Sequence, residues 1–135
     1  MTAGYVLAFD FGLKHIGVSV GQFVTRTASP LTTLRAIGGK PSWSDINSLI
    51  DDWQPTNLLV GLPINMDESE SEMSLRARAF GKALARRHDL PVDMVDERLS
   101  TREARELDQE RGHEMAAVVI AESWLQAGHQ PARKR

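Results

Sequence analysis

The stretch VLAFDFGLKHIGVSVG, residues 6–21, limits what this chain can fold into more than any other. Residues 5–9 are apolar throughout and free of breakers, which predicts a buried strand. Asp10 closes that strand, where a carboxylate is costly unless it is solvated, paired or holding a metal. Gly12 permits a backbone turn that a side chain would obstruct. Ile16, Val18 and Val20 then alternate with Gly17, Ser19 and Gly21, the period-2 pattern of a returning strand. The local picture is strand, acidic turn, strand, with Lys14 beside the turn. An Asp, a Gly and a Lys at one turn can together handle a metal and a phosphate.

A third extended segment is expected over residues 28–35, with Pro30 confining it to an edge or to the strand's beginning. Ser42 with Asp45 is a capping-box variant opening a helix whose apolar face is Trp43, Ile46, Leu49, Ile50 and Trp53. Residues 57–60 make a short apolar strand, followed by the turn Gly61-Leu62-Pro63-Ile64-Asn65. The next helix is expected from near residue 68 to about residue 88. Met73, Ala77, Phe80 and Leu84 share one of its faces, and Arg78, Lys82 and Arg86 point the other way. Its acidic start and its basic second half, which also holds Arg76 and Arg87, follow the helix macrodipole. A solvated face is the simpler account of that basic run, and nucleic-acid contact is the alternative.

A strand over residues 92–95 ends in Asp96-Glu97-Arg98. Ser100 with Glu103 forms a second capping box, opening a charged helix that falters at Gly112. A last helix over about residues 113–126 is apolar nearly all round, as a helix buried against a sheet would be. Three early strands followed by helix, strand, helix, strand and helix predict an α/β fold. The early strands form an antiparallel meander, and the later ones join in parallel through helical crossovers.

The length of 135 residues suits one domain, over residues 1–128, with residues 129–135 as a basic flexible tail. No apolar run approaches the ~18 residues needed to span a membrane. The absence of cysteine excludes disulfides and thiolate metal sites, so a metal must sit on oxygen or histidine, and a reducing cytoplasm is the simplest home. With a net charge of −2, any nucleic-acid surface must be local.

In parallel sheets ligands collect beyond the carboxyl ends of the strands. Three such ends carry polar residues here: Asp10, residues 61–65 with Asn65, and Asp96 with Glu97. Gathered carboxylates repel unless a hard divalent cation neutralises them, and Mg²⁺ or Mn²⁺ is the natural candidate. Such a site suits in-line displacement at a phosphodiester, with two ions ~3.5–4 Å apart. Lys14, Arg98 and the amides at Ser100 and Thr101 could then receive phosphates. Each residue also has a plainer role: Asp10 and Asn65 as turn formers, Glu97 as a surface partner of Arg98, His113 or Glu114 as helix-start residues.

The segments FDFGLKHIGVSVG, VGLPINMD and DERLSTREA, followed by MAAVVIAESWL, resemble the YqgF family of the RNase H-like superfamily over about residues 4–128. Those proteins are described as Holliday junction resolvases and as pre-16S ribosomal RNA nucleases. The resemblance implies an RNase H-like, five-stranded mixed sheet, three strands antiparallel and two parallel, flanked by helices, and a metal-dependent nuclease. It implies that Asp10 matches the first-strand catalytic Asp and Glu97 the Glu of the DER motif. The family's third acid opens the final helix. That position here reads Arg111-Gly112-His113, so His113 stands where an Asp is expected, with Glu114 next to it.

The function so implied is processing of the 5′ end of precursor 16S ribosomal RNA. The alternatives are a Holliday junction resolvase acting on branched DNA and an RNA-binding assembly factor that does not cut. An ATPase ranks last, because actin-like kinases clamp nucleotide between two such domains and this chain provides one. A homodimer is compatible with a small domain that offers little surface to grip a long substrate.

Overall fold

Two strands that alternate their side chains between faces start the fold. A computed structural model describes residues 4–63, 71–97 and 113–132. β1 (Tyr5–Asp10) and β2 (His15–Gln22) pair antiparallel, and β3 (Thr27–Ile37) extends the meander on β2. A two-residue strand, β4 (Lys40–Pro41), folds back on the end of β3. The helix α1 (Trp43–Trp53) then leads to β5 (Asn57–Leu62), which pairs parallel with the other side of β1. The helix α2 (Glu72–His88) leads to β6 (Val92–Asp96), parallel to β5. The last element is the helix α3 (Glu114–Gln126).

Among the described residues the sheet has six strands in the order β4-β3-β2-β1-β5-β6, one more than the five expected. The extra strand is β4, two residues inside Gly-Gly-Lys-Pro, which reads as loop. The third strand is also longer than expected. A register shift between Val18 and Ser19 accommodates Pro30 opposite Ser19, on a stretch of β3 that β4 does not reach. The first helix begins where expected, but the Ser42 side chain makes no cap bond and pairs with the Ser44 hydroxyl instead. The second helix is capped by Ser71 and Ser74 in a reciprocal box. The expected capping box at Ser100 and Glu103 lies outside the described residues, as do residues 64–70.

The period-2 alternation of β1 builds two cores. Leu7 and Phe9 face α1 and α2, where they pack with Ile46, Ala77, Phe80 and Leu84. Val6 and Ala8 face α3, packing with Ile120, Ala121, Trp124 and Leu125. On β2 the α3 face is Gly17, Ser19 and Gly21, and this small-residue face lets the helix approach closely. A Cβ on Gly17 would lie 2.1 Å from the His113 carbonyl oxygen, and one on Gly21 2.8 Å from Leu125 Cδ1. Between them the buried Ser19 hydroxyl donates to the Ala117 carbonyl at 2.7 Å. Glu122 accepts from the Ala28 amide at 3.1 Å, and Trp124 donates to Asp93 at 3.0 Å, so α3 spans the sheet from β3 to β6. Past α3, His129 stacks on Trp124 and the Ala132 amide donates to Asn57 at 3.0 Å. No helix among the described residues is long and apolar enough to cross a membrane.

Gly17→Ala is expected to cost ~1–3 kcal/mol, because the added carbon meets backbone that cannot yield without moving α3. Ser19→Ala is expected to cost ~1 kcal/mol, since it removes one buried hydrogen bond between β2 and α3. Urea midpoints at constant slope check both, and a Gly17→Ala midpoint equal to wild type would show that α3 can be displaced without cost.

Candidate active site

Asp10, Gly17 and Thr33 form one row across β1, β2 and β3, through the register pairs Asp10–Gly17 and Gly17–Thr33. Paired residues share a face, and Asp10 follows Val6 and Ala8 at period 2, so this is the face that α3 covers. The start of α3 lies over the middle of the row, since a Cβ on Gly17 would also come within 2.8 Å of the Glu114 amide nitrogen. The half-buried Asp10 therefore ends β1 beside the start of α3.

On the other side of Asp10 stands β5. Phe9 pairs with Val60, and the next step of that register sets Gly61 beside Asp10. The Glu97 amide donates to the Leu62 carbonyl at 3.0 Å, which continues the β5–β6 ladder by one bond. Its side chain bends back over β5: a Cβ on Gly61 would lie 2.8 Å from the Glu97 carboxyl carbon and 2.4 Å from Ile120 Cδ1. Adjacent strands are ~4.8 Å apart, so Gly61 is the open position between Asp10 and Glu97. Asp10 and Glu97, far apart in sequence, thus stand on the two sides of Gly61.

The other expected residues divide into three groups. Lys14 is exposed in the β1–β2 turn, and its carbonyl accepts from the Ala36 amide at 2.9 Å, which ties that turn to the end of β3. His113 and Glu114 do open α3, but their side chains are engaged at the β2–β3 side. The His113 ring stacks on His15, with centroids 4.7 Å apart and planes 12° apart. The Glu114 carboxylate accepts a hydrogen bond from the Thr33 hydroxyl. Asn65, Arg98, Ser100 and Thr101 lie outside the described residues.

His15 and Thr33 are the site-facing residues that sequence reading missed. The available signal was parity. His15 shares a strand face with Gly17, and Thr33 is the partner of Gly17, so whatever lies over that glycine meets both.

Among the described residues no three His, Asp or Glu side chains converge on one point. What the rim offers a metal is two hard carboxylate donors. That set fits one Mg²⁺ or Mn²⁺ that keeps several waters, and it does not fit a soft metal. The Thr33 hydroxyl, followed by the helix's own amide and the neighbouring His113, holds the Glu114 carboxyl below the usual carboxylate range.

A family model described as "RuvX: Holliday junction resolvase" matches residues 4–127. The chain belongs to the RuvX family. This is the YqgF grouping that the sequence motifs resemble. Among its relatives is a Saccharophagus degradans protein named "Putative pre-16S rRNA nuclease", 48% identical over 134 residues, which covers 92% of this chain and 94% of that one. A protein of the same name from Nitrosococcus oceani is 51% identical, covering 89% and 85%. Among solved structures, Thermus thermophilus RuvC in complex with a Holliday junction substrate superposes with a TM-score of 0.58. It covers 93% of this chain and 96% of its own at 17% identity, a likeness of fold alone. The RuvX chain thus has the mixed α/β architecture of RuvC, with a sixth short strand.

The Glu114–Thr33 bond sets a pH dependence. A carboxyl whose folded pKa lies below its unfolded one adds stability above the unfolded value, ~4.3, and loses it as pH falls through the depressed value. Thr33→Val should therefore be less stable than wild type near neutral pH. The gap should be full near pH ~7 and narrow only below ~4.3, toward pH ~3. Denaturant titrations at both pH values check this, and a gap that does not depend on pH would mean the hydroxyl does not act through the carboxylate.

Proposed function

We propose that this chain is a metal-dependent nuclease that hydrolyses phosphodiester bonds in structured RNA, and that its substrate is the 5′ region of precursor 16S ribosomal RNA in the cytoplasm. The observation that carries this reading is the pair of carboxylates, Asp10 and Glu97, at the carboxyl ends of β1 and β6, the two parallel strands that flank β5 and its Gly61. Membership of the RuvX family supports nuclease chemistry, and the names of relatives at 48% and 51% identity favour RNA over a DNA junction.

Mg²⁺ or Mn²⁺ bound there would supply charge neutralisation and an activated water. Asp10 and Glu97 would hold that metal, each giving hard oxygen donors. His113, the third donor in this reading, would have to leave its stack on His15 to reach the metal, and Glu114, the rival, its bond to Thr33. Lys14 presents its ammonium to a phosphate at the same rim as a solvated point charge.

Cleavage of a precursor-rRNA 5′ segment and of a four-way DNA junction, each with Mg²⁺ or Mn²⁺, tests the proposal. Wild type should cut the RNA segment, and Asp10→Asn should abolish cutting while keeping the melting temperature unchanged or raised, because one repelling carboxylate is removed. An Asp10→Asn protein with wild-type turnover would sink the site assignment, and preferential cutting of the junction would reassign the substrate.

His113 makes a separate prediction. Imidazole binds Mn²⁺ acceptably and Mg²⁺ poorly, so wild-type activity should be higher with Mn²⁺, and His113→Asp should raise Mg²⁺-supported activity. If His113→Ala matches wild type while Glu114→Gln is inactive, the third donor is the glutamate.

A further inference from the structure

The basic run of α2 separates into two stripes once the helix is placed. Arg76, Ala79, Ala83 and Arg87 follow one another at helical spacing along one stripe, while Arg78, Lys82 and Arg86 lie about one residue's rotation, ~100°, away. The first stripe does not merely face solvent. Arg76, Ala79 and Ala83 of that stripe line a cavity of about 240 Å³ whose other walls are Phe11, Phe80, Trp43 and the β3–β4 hairpin with Lys40. The two alanines give the groove its depth.

The floor of this groove is aromatic. Phe80 lies between Phe11, 5.4 Å away by ring centroids, and Trp43, 5.9 Å away and close to parallel. The Arg87 guanidinium sits 4.2 Å over the Trp43 ring. Arg76 and Lys40 flank the opening, and Arg76 pairs with Glu72 at 3.3 Å. Both members of that pair are exposed, so the contact is weak and yields to a stronger anion. The hairpin is held in place by the Gly39 amide, which donates to the Leu13 carbonyl at 2.9 Å.

The groove and the carboxylate rim are neighbours. Phe11 follows Asp10 directly and packs with the core on the opposite face of the sheet, so the two sites lie on either side of one strand end. We infer that this groove takes one unpaired nucleotide of the nucleic-acid substrate, with its base against the aromatic rings and its phosphates on Lys40 and Arg76. The inference rests on the nuclease reading for the identity of the substrate, and on the groove alone for the site.

Three features select a nucleotide. Every base has a π-face that stacks on aromatic side chains regardless of sequence, and flanking cations track the backbone phosphates. The volume is below the ~300–1,000 Å³ typical of sites for drug-sized ligands, which suits one planar ring system. A base inside a duplex is already stacked on both faces, so only an unpaired one is free to enter. An acidic peptide would use the cations and leave the rings idle. A strand crossing the rim would seat one unpaired nucleotide in the groove and present a nearby phosphodiester to Asp10 and Glu97. The expected preference is for a junction between single- and double-stranded segments.

The test measures binding on an Asp10→Asn background, so that it does not depend on cleavage. The probes are a fluorescein-labelled oligo(U) RNA, the same strand annealed to oligo(A), and inorganic polyphosphate as a base-free competitor. Trp43→Ala should weaken oligo(U) binding about 5-fold or more, with polyphosphate binding unchanged, and Trp43→Phe should retain most of the affinity. Lys40→Ala should weaken both oligo(U) and polyphosphate and make the salt slope shallower by ~0.7, whereas Lys82→Ala on the other stripe should do neither. Should Trp43→Ala fail to fold, the exposed Lys40→Ala and the conservative Phe11→Leu carry the same comparison. Failure of the protein with Asp10 intact to cleave any of the nucleic acids with Mg²⁺ or Mn²⁺, while these binding effects hold, would overturn the nuclease reading and leave the groove standing. The groove assignment is overturned if folded Trp43→Ala binds oligo(U) like wild type, if it loses oligo(U) and polyphosphate equally, or if polyglutamate displaces oligo(U) as readily as polyphosphate does.

Discussion

The arrangement of the rim depends on how closely α3 lies on the sheet. That distance is set by the small face of β2, where Gly17, Ser19 and Gly21 admit the helix backbone almost to van der Waals contact. Ser19 fixes the axial position through its bond to Ala117, and Glu122 and Trp124 fix the rotation through Ala28 and Asp93. With the helix so placed, its first residues come to rest on Gly17, the register partner of Asp10. A larger residue at position 17 would push the helix start away from the carboxylate. The same economy recurs at Gly61, where the missing side chain leaves room for Glu97 to turn in toward the rim.

The two sides of this strand end differ in chemical character. On the α3 side, half-buried carboxylates gather around a glycine gap. On the α2 side, aromatic rings are bordered by lysine and arginine. Opposite charges on neighbouring surfaces suit a polyanion that must be held in one place and attacked in another. In the proposed function the groove would draw the phosphate backbone close, and the acidic rim would repel it until a cation intervened. The net charge of −2 conceals this division, because it sums 16 basic and 18 acidic residues over the whole chain.

Much of this was legible in the chain itself. The alternation in residues 16–21 identified the small face of β2, and the positions of Asp10 and Glu97 at strand ends followed from the apolar runs before them. What was not legible arises from packing between distant segments. Thr33 and Glu114 are 81 positions apart, and nothing local marks either as the other's partner. The stacking of His113 on His15 likewise exists only because α3 crosses β2. β4 escaped notice because two residues carry no periodicity, and its Gly-Gly lead-in reads as loop. The basic run of α2 seemed uniform because charge counts ignore rotation about the helix axis. Once the axis is placed, Arg76 and Arg87 separate from Arg78 and Lys82.

The central claim is that Asp10 and Glu97 form one hard-cation site across Gly61. Manganese binding followed by electron paramagnetic resonance measures this without any substrate. Wild type should take up Mn²⁺, with the free-ion signal reduced in proportion to protein added. Asp10→Asn and Glu97→Gln should each weaken that uptake, and the double variant should lose no more than the weaker single one, as expected for two ligands of a shared ion. Mn²⁺ uptake that survives in the double variant at wild-type affinity would contradict the account.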